Sequence, residues 1–437
     1  MSANAELFLS SILATAGEIT DACVRCGACV EACPMVEPAG IDADDPAAIA
    51  GGVIDLMNGQ PASLHADALR WAEVCTGSGK CIPACEHGVN PRLMIKLAKA
   101  RVSTDADANL SREQARQGFR TMAKGVRALS RLQLDPDTLA KVHSNQRTEV
   151  HPDVVFYTGC NLLKTPHIAL LCLDVLDRLG VRYEVMGGPS HCCGVYQINA
   201  GDLATAGRVG FSTIEKLSEP KTEEVLSWCP SCQTNLGEVT LPTYKKAMAR
   251  DPFGLTPFIE FVHRHLDALA PHFVHRVEKR VALLERPAFP GIVDGARAIL
   301  EAIPGLELVD LDVPRIGTMA NSLAVLPEFK TALREREFAA AADARVDTYA
   351  TLFHACHRDI CHYEDDVSFE ILNFMELVGE ALGVRHPDLY KQLKKLNDVD
   401  RILAEMRDPI ADNGFDVEKL REIVWVDMFG ATPAPPR

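Results

Sequence analysis

What this chain can fold into is constrained most by where its cysteines fall. Of 15 cysteines among 437 residues, 14 lie in four groups, at 23–33, 75–85, 160–232 and 356–361. The remaining one, Cys172, sits in IALLCLDVLDRLG, where Ile168, Leu171, Cys172, Val175, Leu176 and Leu179 repeat at helical spacing, so it reads as packing in a buried face. A chain this long, 47% hydrophobic and 24% charged, builds its own core in two or three domains without disulfide staples. The N-terminus, MSANAELFLSSILATAGEIT, carries an acid where a secretory leader carries basic charge. No stretch reaches the roughly 18 apolar residues of a membrane span. The expected location is the cytoplasm, with any membrane association peripheral and through a partner. In a reducing compartment, grouped cysteines bind metal or do redox chemistry. A net charge of −15 repels phosphate backbones and argues against a nucleic-acid partner.

The first group, Cys23-Val-Arg-Cys26-Gly-Ala-Cys29-Val-Glu-Ala-Cys33-Pro34, is a C-x2-C-x2-C-x3-C-P run. It resembles the run of bacterial-type ferredoxins, in which three thiolates wrap one cubane cluster and the fourth reaches a second. A zinc knuckle, the competing reading, pairs two separated C-x-x-C units instead. The second group, Cys75-Thr-Gly-Ser78-Gly-Lys-Cys81-Ile-Pro-Ala-Cys85-Glu86, aligns position for position, except that Ser78 replaces a cysteine and Glu86 the proline. Crossed ligation gives one [4Fe-4S] cluster Cys23, Cys26, Cys29 and Cys85, and leaves the other Cys33, Cys75 and Cys81, one thiolate short. Two outcomes stay open for that second cluster. It is a [3Fe-4S] cluster, on a C-x5-C loop resembling that of succinate dehydrogenase-type iron-sulfur subunits, or Ser78 or solvent completes a [4Fe-4S] cluster. The basicity of a serine alkoxide favours the first. A third reading buries the cysteines without a cluster.

ALRWAEV and RLMIKLAKARVS read as helices flanking the second loop. Beyond residue 150 short apolar runs alternate with helices: VVFY, the 168–179 helix, RYEVMG, ATAGRVGFSTIEKL and VLSW form a βαβαβ unit. The same order recurs in VALLE, DGARAILEAI, LELVDL, ALREREFAAAADA and TYATLFH. Val154 to Val281 and Cys229 to Cys356 are both 127 residues apart, a weak internal repeat. The expected fold class is therefore α+β and multidomain. A helical two-cluster domain, ferredoxin-like, spans 1–120, with a linker over 121–152. Two related α/β lobes follow, at 153–265 and 278–400, the second degenerate, and then C-terminal helices and a disordered tail, 401–437.

In the third group, 31 residues separate Cys160 from Cys192-Cys193-Gly194, and 35 more precede Cys229-Pro-Ser-Cys232. Adjacent cysteines seldom chelate one metal, so this set points to more than one iron. Each cysteine follows a predicted strand or loop, at the edge where α/β folds bind ligands. The pattern resembles the CCG domain of the B-type and D-type components of heterodisulfide reductase, and nearly the whole chain resembles a fused C-plus-B, or D-type, component. Similar architecture occurs in iron-sulfur subunits of glycolate oxidase, anaerobic glycerol-3-phosphate dehydrogenase and sulfur-oxidation complexes. The resemblance implies that Cys160, Cys192, Cys193, Cys229 and Cys232 hold a non-cubane [4Fe-4S] cluster at which a disulfide is reduced, with His191 and Gly194 shaping the loop. A zinc site on Cys229, Cys232 and one other pair competes with it.

The second lobe departs from a full duplicate. At the 127-residue offset Cys160 maps to Pro287, Cys192 to Met319 and Cys193 to Ala320, leaving Cys356 and Cys361 in His354-Ala-Cys356-His357-Arg358-Asp359-Ile-Cys361-His362. Either Cys356, Cys361 and neighbouring histidines such as His357 face the first lobe's cluster, as a thiol pair, small metal site or proton-donating wall, or the loop is vestigial. The expected function is an iron-sulfur oxidoreductase subunit, active within a complex, that passes electrons through ferredoxin-type clusters to disulfide or sulfur-substrate chemistry. The alternative is an electron conduit between a flavoprotein dehydrogenase and a quinone-linked membrane partner such as a cytochrome. No GxGxxG follows a strand, so nicotinamide or flavin is expected on a partner protein. A zinc-stabilised assembly protein is the reading from outside redox chemistry.

Overall fold

The computed structural model describes residues 2–143, 151–287 and 289–430. The tail ATPAPPR and residues 144–150 of the expected linker lie outside them. The N-terminal part is helical. Helix α1 (Ala3–Ala22) starts at a Ser2 cap and delivers the chain to Cys23. Helices α2 (Ala28–Glu31), α3 (Pro46–Met57) and α4 (Ala66–Glu73) follow, and α3 is buried because apolar and small residues occupy nearly its whole circumference. Helix α5 (Pro91–Gln133) begins at the Asn90 cap and breaks at Asp107 (φ −164°, ψ 102°), whose carboxylate accepts from the amides of Asn109 and Leu110 and restarts the helix. Helix α6 (Pro136–His143) completes this part.

The expected linker needs correction. Residues 121–133 extend α5, and 136–143 form α6. Met122, Val126, Leu129, Leu132 and Val142 are buried, at spacings that set one apolar stripe beneath the many polar residues of this stretch. The stripe makes a docked helix of a segment whose composition reads as a connector.

Strand β1 (Val154–Gly159), helix α7 (Pro166–Arg178), strand β2 (Tyr183–Gly187), helices α8 (Val195–Ala200) and α9 (Leu203–Ser218), strand β3 (Glu224–Ser227), helices α10 (Pro230–Thr234) and α11 (Leu241–Met248), and strand β4 (Gly254–Pro257) build the first sheet. It is parallel throughout, in the order β2-β1-β3-β4. Helices α12 (Phe258–Arg264) and α13 (Leu266–Leu269) lead to the second. That sheet uses β5 (Arg280–Leu284), α14 (Ile292–Glu301), β6 (Glu307–Val309), α15 (Pro327–Asp343), β7 (Thr348–Thr351), α16 (His354–Ile360) and β8 (Glu370–Asn373). It too is parallel, in the matching order β6-β5-β7-β8. Helices α17 (Phe374–Leu382), α18 (Leu389–Lys395), α19 (Val399–Glu405), α20 (Arg407–Asp412) and α21 (Val417–Phe429) follow it. Strands β4 and β8 are additions to the expected βαβαβ units; GLTP and EILN are too short, and too mixed with proline and polar residues, to read as strands. Among the described residues no helix is long and apolar enough to cross a membrane.

Strand alternation divides the interior. Val154 and Phe156 point into a core shared with α7 and the second sheet, while Val155 and Tyr157 point into one shared with α9 and the N-terminal helices. The N-terminal region therefore shares its core with the first sheet. Phe8 on α1 fixes this docking. It is fully buried, edge-on to Phe211 at 5.6 Å, and lies where any side chain at Gly207 would collide with it. Replacing Phe8 with alanine is expected to cost about 3–5 kcal/mol, read as a lower melting temperature in an anaerobic thermal scan.

Candidate functional site

The chain brings its first two cysteine groups together in the crossed arrangement. Cys23 ends α1, Cys26 is exposed in the following loop, and Cys29 is buried on α2. Burial pushes the Cys29 thiol up to about 12, and nearby Cys23, Cys26 and Cys85 add to the shift. Cys33 lies with the other set. Cys81 is also pushed up to about 12, by burial and then by Cys75 and Cys33, and Cys75 is raised by burial with Cys33 again beside it. Cys29 is within electrostatic range of Cys81, so the two sets adjoin. Ser78 is half-buried between Cys75 and Cys81.

The third group converges from the C-terminal ends of β1, β2 and β3, where a parallel sheet opens a crevice. Cys160, Cys192, Cys193, Cys229 and Cys232 are all at most 5% exposed. Beside Cys192 and Cys232 the Cys193 thiol is held below the usual range, while Cys160, next to Cys192 and buried, is raised well above it. Gly159 leaves the room they share: its φ of +66° suits glycine, and a Cβ there would stand 3.0 Å from Cys232 Sγ. The loops are tied down by backbone bonds. Thr213 Oγ1 donates to the Cys192 carbonyl at 2.7 Å, Asn235 Nδ2 to the Cys193 carbonyl at 2.5 Å, and Tyr157 Oη to the His191 carbonyl at 2.6 Å. The His191 ring pairs with the Gly187 carbonyl at 2.8 Å, and Gly194 opens α8 in the left-handed region.

The fourth group divides. His354 lies against Cys229, and Arg358 donates to the Asn161 carbonyl, beside Cys160, at 2.7 Å. Cys356 instead lies near Arg286, which makes a buried ion pair with Glu337 at 2.8 Å, and Cys361 is near Lys394. His357 turns to Asp388 at 2.6 Å. The wall of the five-cysteine site is thus His354 and Arg358: of the expected Cys356, Cys361 and neighbouring histidines, His354 faces the site, while Cys356, Cys361 and His357 turn elsewhere. The signal was present in the same motif, and only its helical phase, read from His354 at the start of α16, selects between them.

Sequence reasoning also misses Lys96. It lies within electrostatic range of Cys75 and of Cys193, so it sits between two of the cysteine sets. With Lys99 and with Arg92, which is ion-paired to Glu238, it lines a depression of about 450 Å³ that also touches Cys75 and Ser231. Another depression, of about 500 Å³, reaches Cys192 but carries Glu215 beside Arg208. Thr318 and Met319, from the second sheet's loops, close one side of the first depression, and Thr318 Oγ1 donates to the Thr76 carbonyl at 2.8 Å.

The donor sets fit iron-sulfur clusters. Five sulfurs share a dry space in which Cys160, Cys192 and Cys232 are raised and Cys193 and Cys229 lowered, with Lys164 near Cys160 and Lys96 near Cys193 at its edge. A positively charged iron core relieves the mutual repulsion of thiolates in such a space. One zinc ion does not match: ligands on about 2.3 Å bonds stand roughly 3.8 Å apart, whereas among the described residues no three cysteine sulfurs come within 4.8 Å of one another.

Comparison with known proteins agrees. Residues 19–89 match the family of 4Fe-4S dicluster domains, and residues 154–237 match the cysteine-rich domain family. The fold and these two matches define an iron-sulfur electron-transfer protein. Its likeness is to the D-type component of heterodisulfide reductase: the chain is 22% identical over 411 residues to that component of the dihydromethanophenazine:CoB–CoM heterodisulfide reductase of Methanosarcina barkeri, covering 83% of this chain and 94% of that one. The corresponding component from Methanosarcina mazei is 23% identical over 398 residues, with the same coverage.

Gly159→Ala is expected to displace Cys232 and abolish iron binding at the five-cysteine site, lowering total iron by roughly a third. Iron analysis checks this, with the signals of the other two cysteine sets retained.

Proposed function

We propose that this chain is the part of a redox complex at which electrons from a partner reach a disulfide or related sulfur substrate. Cys23, Cys26, Cys29 and Cys85 would hold one [4Fe-4S] cluster, Cys33, Cys75 and Cys81 a [3Fe-4S] or incompletely ligated [4Fe-4S] cluster beside Ser78, and Cys160, Cys192, Cys193, Cys229 and Cys232 a non-cubane [4Fe-4S] cluster. When bound, such clusters supply one-electron redox chemistry, and the chain supplies burial, orientation and hydrogen bonds. The observation that supports the reading is the depression at Lys96, which reaches Cys75 of the second set and Ser231, between Cys229 and Cys232 of the third.

The residues have distinct tasks in this reading. Exposed Cys26, next to Val24 at 57% exposure, brings the first set to the surface where a partner's redox group docks. Lys96 and Lys99 draw an anionic substrate toward Ser231, between Cys229 and Cys232, while Arg92 is held by Glu238 and the Gly77 carbonyl. His354, buried against Cys229 with its pKa lowered by burial, borders the sulfurs as a neutral polar wall. The two sheets of equal strand order are read as duplicated lobes, the second of which has exchanged cluster binding for wall-building.

Reduction of small disulfides by the assembled, anaerobically purified complex tests this reading. Disulfides bearing carboxylate or sulfonate groups are expected to react, and Lys96→Gln to raise KM at least several-fold with iron content unchanged. Electron transfer to an artificial acceptor with no disulfide turnover would instead mark the chain as a conduit. Ser78→Cys is expected to replace the EPR signal of an oxidised three-iron cluster with that of a reduced four-iron one; an unchanged spectrum would remove the three-iron assignment.

A further inference from the structure

Away from the cysteine sites, four side chains from four helices meet in the interior. His167 on α7, His357 on α16, Glu376 on α17 and Asp388, which caps α18, each bring one ligand atom within 4.8 Å of the others. His167 is 1% and His357 0% exposed. Neither ring nitrogen of His167 has a hydrogen-bond partner, and neither does Nδ1 of His357. Leaving such atoms unpaired in a core carries a desolvation cost.

The nearest oxygens to His167 are Asp388 Oδ1, 3.5 Å from Nδ1, and Glu376 Oε2, 3.9 Å from Nε2. Both separations are long for hydrogen bonds. They approach the roughly 3.3 Å between two ligand atoms of a tetrahedral ion with bonds of about 2.0 Å. The carboxylates are already oriented by backbone amides: Glu376 Oε2 accepts from Asn373 at 2.7 Å and Asp388 Oδ1 from Lys391 at 3.0 Å. Helix capping thus accounts for the acids, but it leaves the imidazole of His167 without a partner. The neighbouring cation, Lys391, is engaged by Glu364 at 2.8 Å and the Ile371 carbonyl at 3.1 Å. Burial also lowers the His167 pKa, against the opposing pull of Asp388 and Glu376.

We propose that His167, His357, Glu376 and Asp388 form a closed binding site for one divalent cation of the zinc class, which locks α7 of the first sheet to α16, α17 and α18 of the second. Three buried ligands and a half-buried Glu376, all from the protein, match the four-ligand set of a structural site. Binding exchanges the hydrogen bond between His357 and Asp388 for two metal bonds. The site is independent of the proposed redox function, and neither Cys356 nor Cys361 belongs to it.

The test uses the full chain, anaerobically purified and dialysed against zinc, which outcompetes manganese and ferrous iron for such ligands. One zinc per chain is expected, with nitrogen and oxygen neighbours alone at the zinc absorption edge, and a higher melting temperature than before dialysis. His167→Gln and Asp388→Asn are expected to lose that zinc while keeping cluster iron and EPR signals. Zinc with sulfur neighbours, or no retained zinc in the unaltered chain, would overturn the proposal. Because the edge spectrum is read on the unaltered chain, a variant that misfolds does not blunt the test. Failure of disulfide turnover would leave this result untouched.

Discussion

The rest of the structure is arranged around the electrostatics of sulfur in a dry interior. Five cysteines are held at the ends of three parallel strands, each nearly inaccessible to water. Burial alone opposes thiolate formation, and neighbouring thiolates oppose it further. Such a set is tolerable only around a cationic core, with a few fixed positive groups at its edge. Lys164, Lys96 and Arg358 occupy that edge, each anchored by a different part of the chain. The glycine at 159, the tyrosine at 157 and the amide of Asn235 then set where the sulfurs sit.

The second sheet, of the same strand order, is built without such a cysteine set. Arg286 and Pro287 stand at the 127-residue offset from Gly159 and Cys160. Arg286 fills the interior with a guanidinium paired to Glu337, next to Cys356, the offset partner of Cys229. A buried ion pair thus lies beside Cys356 in the second sheet, and Cys361 is buried near Lys394. The loops of this sheet face the other site instead: His354 lies against Cys229, and Thr318 holds the loop that carries Cys75.

Much of this was legible in the sequence because cysteine spacing is a direct record of ligand geometry. The crossed pairing of Cys29 with Cys85 and of Cys33 with Cys75 and Cys81 follows from the run itself, and the five-cysteine convergence follows from its place after each strand. Strands β1, β2, β3, β5 and β7 announce themselves as apolar runs, whereas β4 and β8 lie at sheet edges, where four residues with little apolar content suffice. The helices at 121–143 were hidden by their polar exterior. Lys96 and the four-ligand cluster were hidden because their members are far apart along the chain, and only packing joins them.

The bond between Thr318 and Thr76 spans 242 residues of sequence. During synthesis the cysteines of the first two groups emerge early, but the loop bearing Cys75 and Cys81 remains without its outer wall until the second sheet has been made. Chain order therefore separates two events: the cysteines of both sets are present once residue 85 has been made, whereas Thr318 can reach the Thr76 carbonyl only after the second sheet's loop has followed.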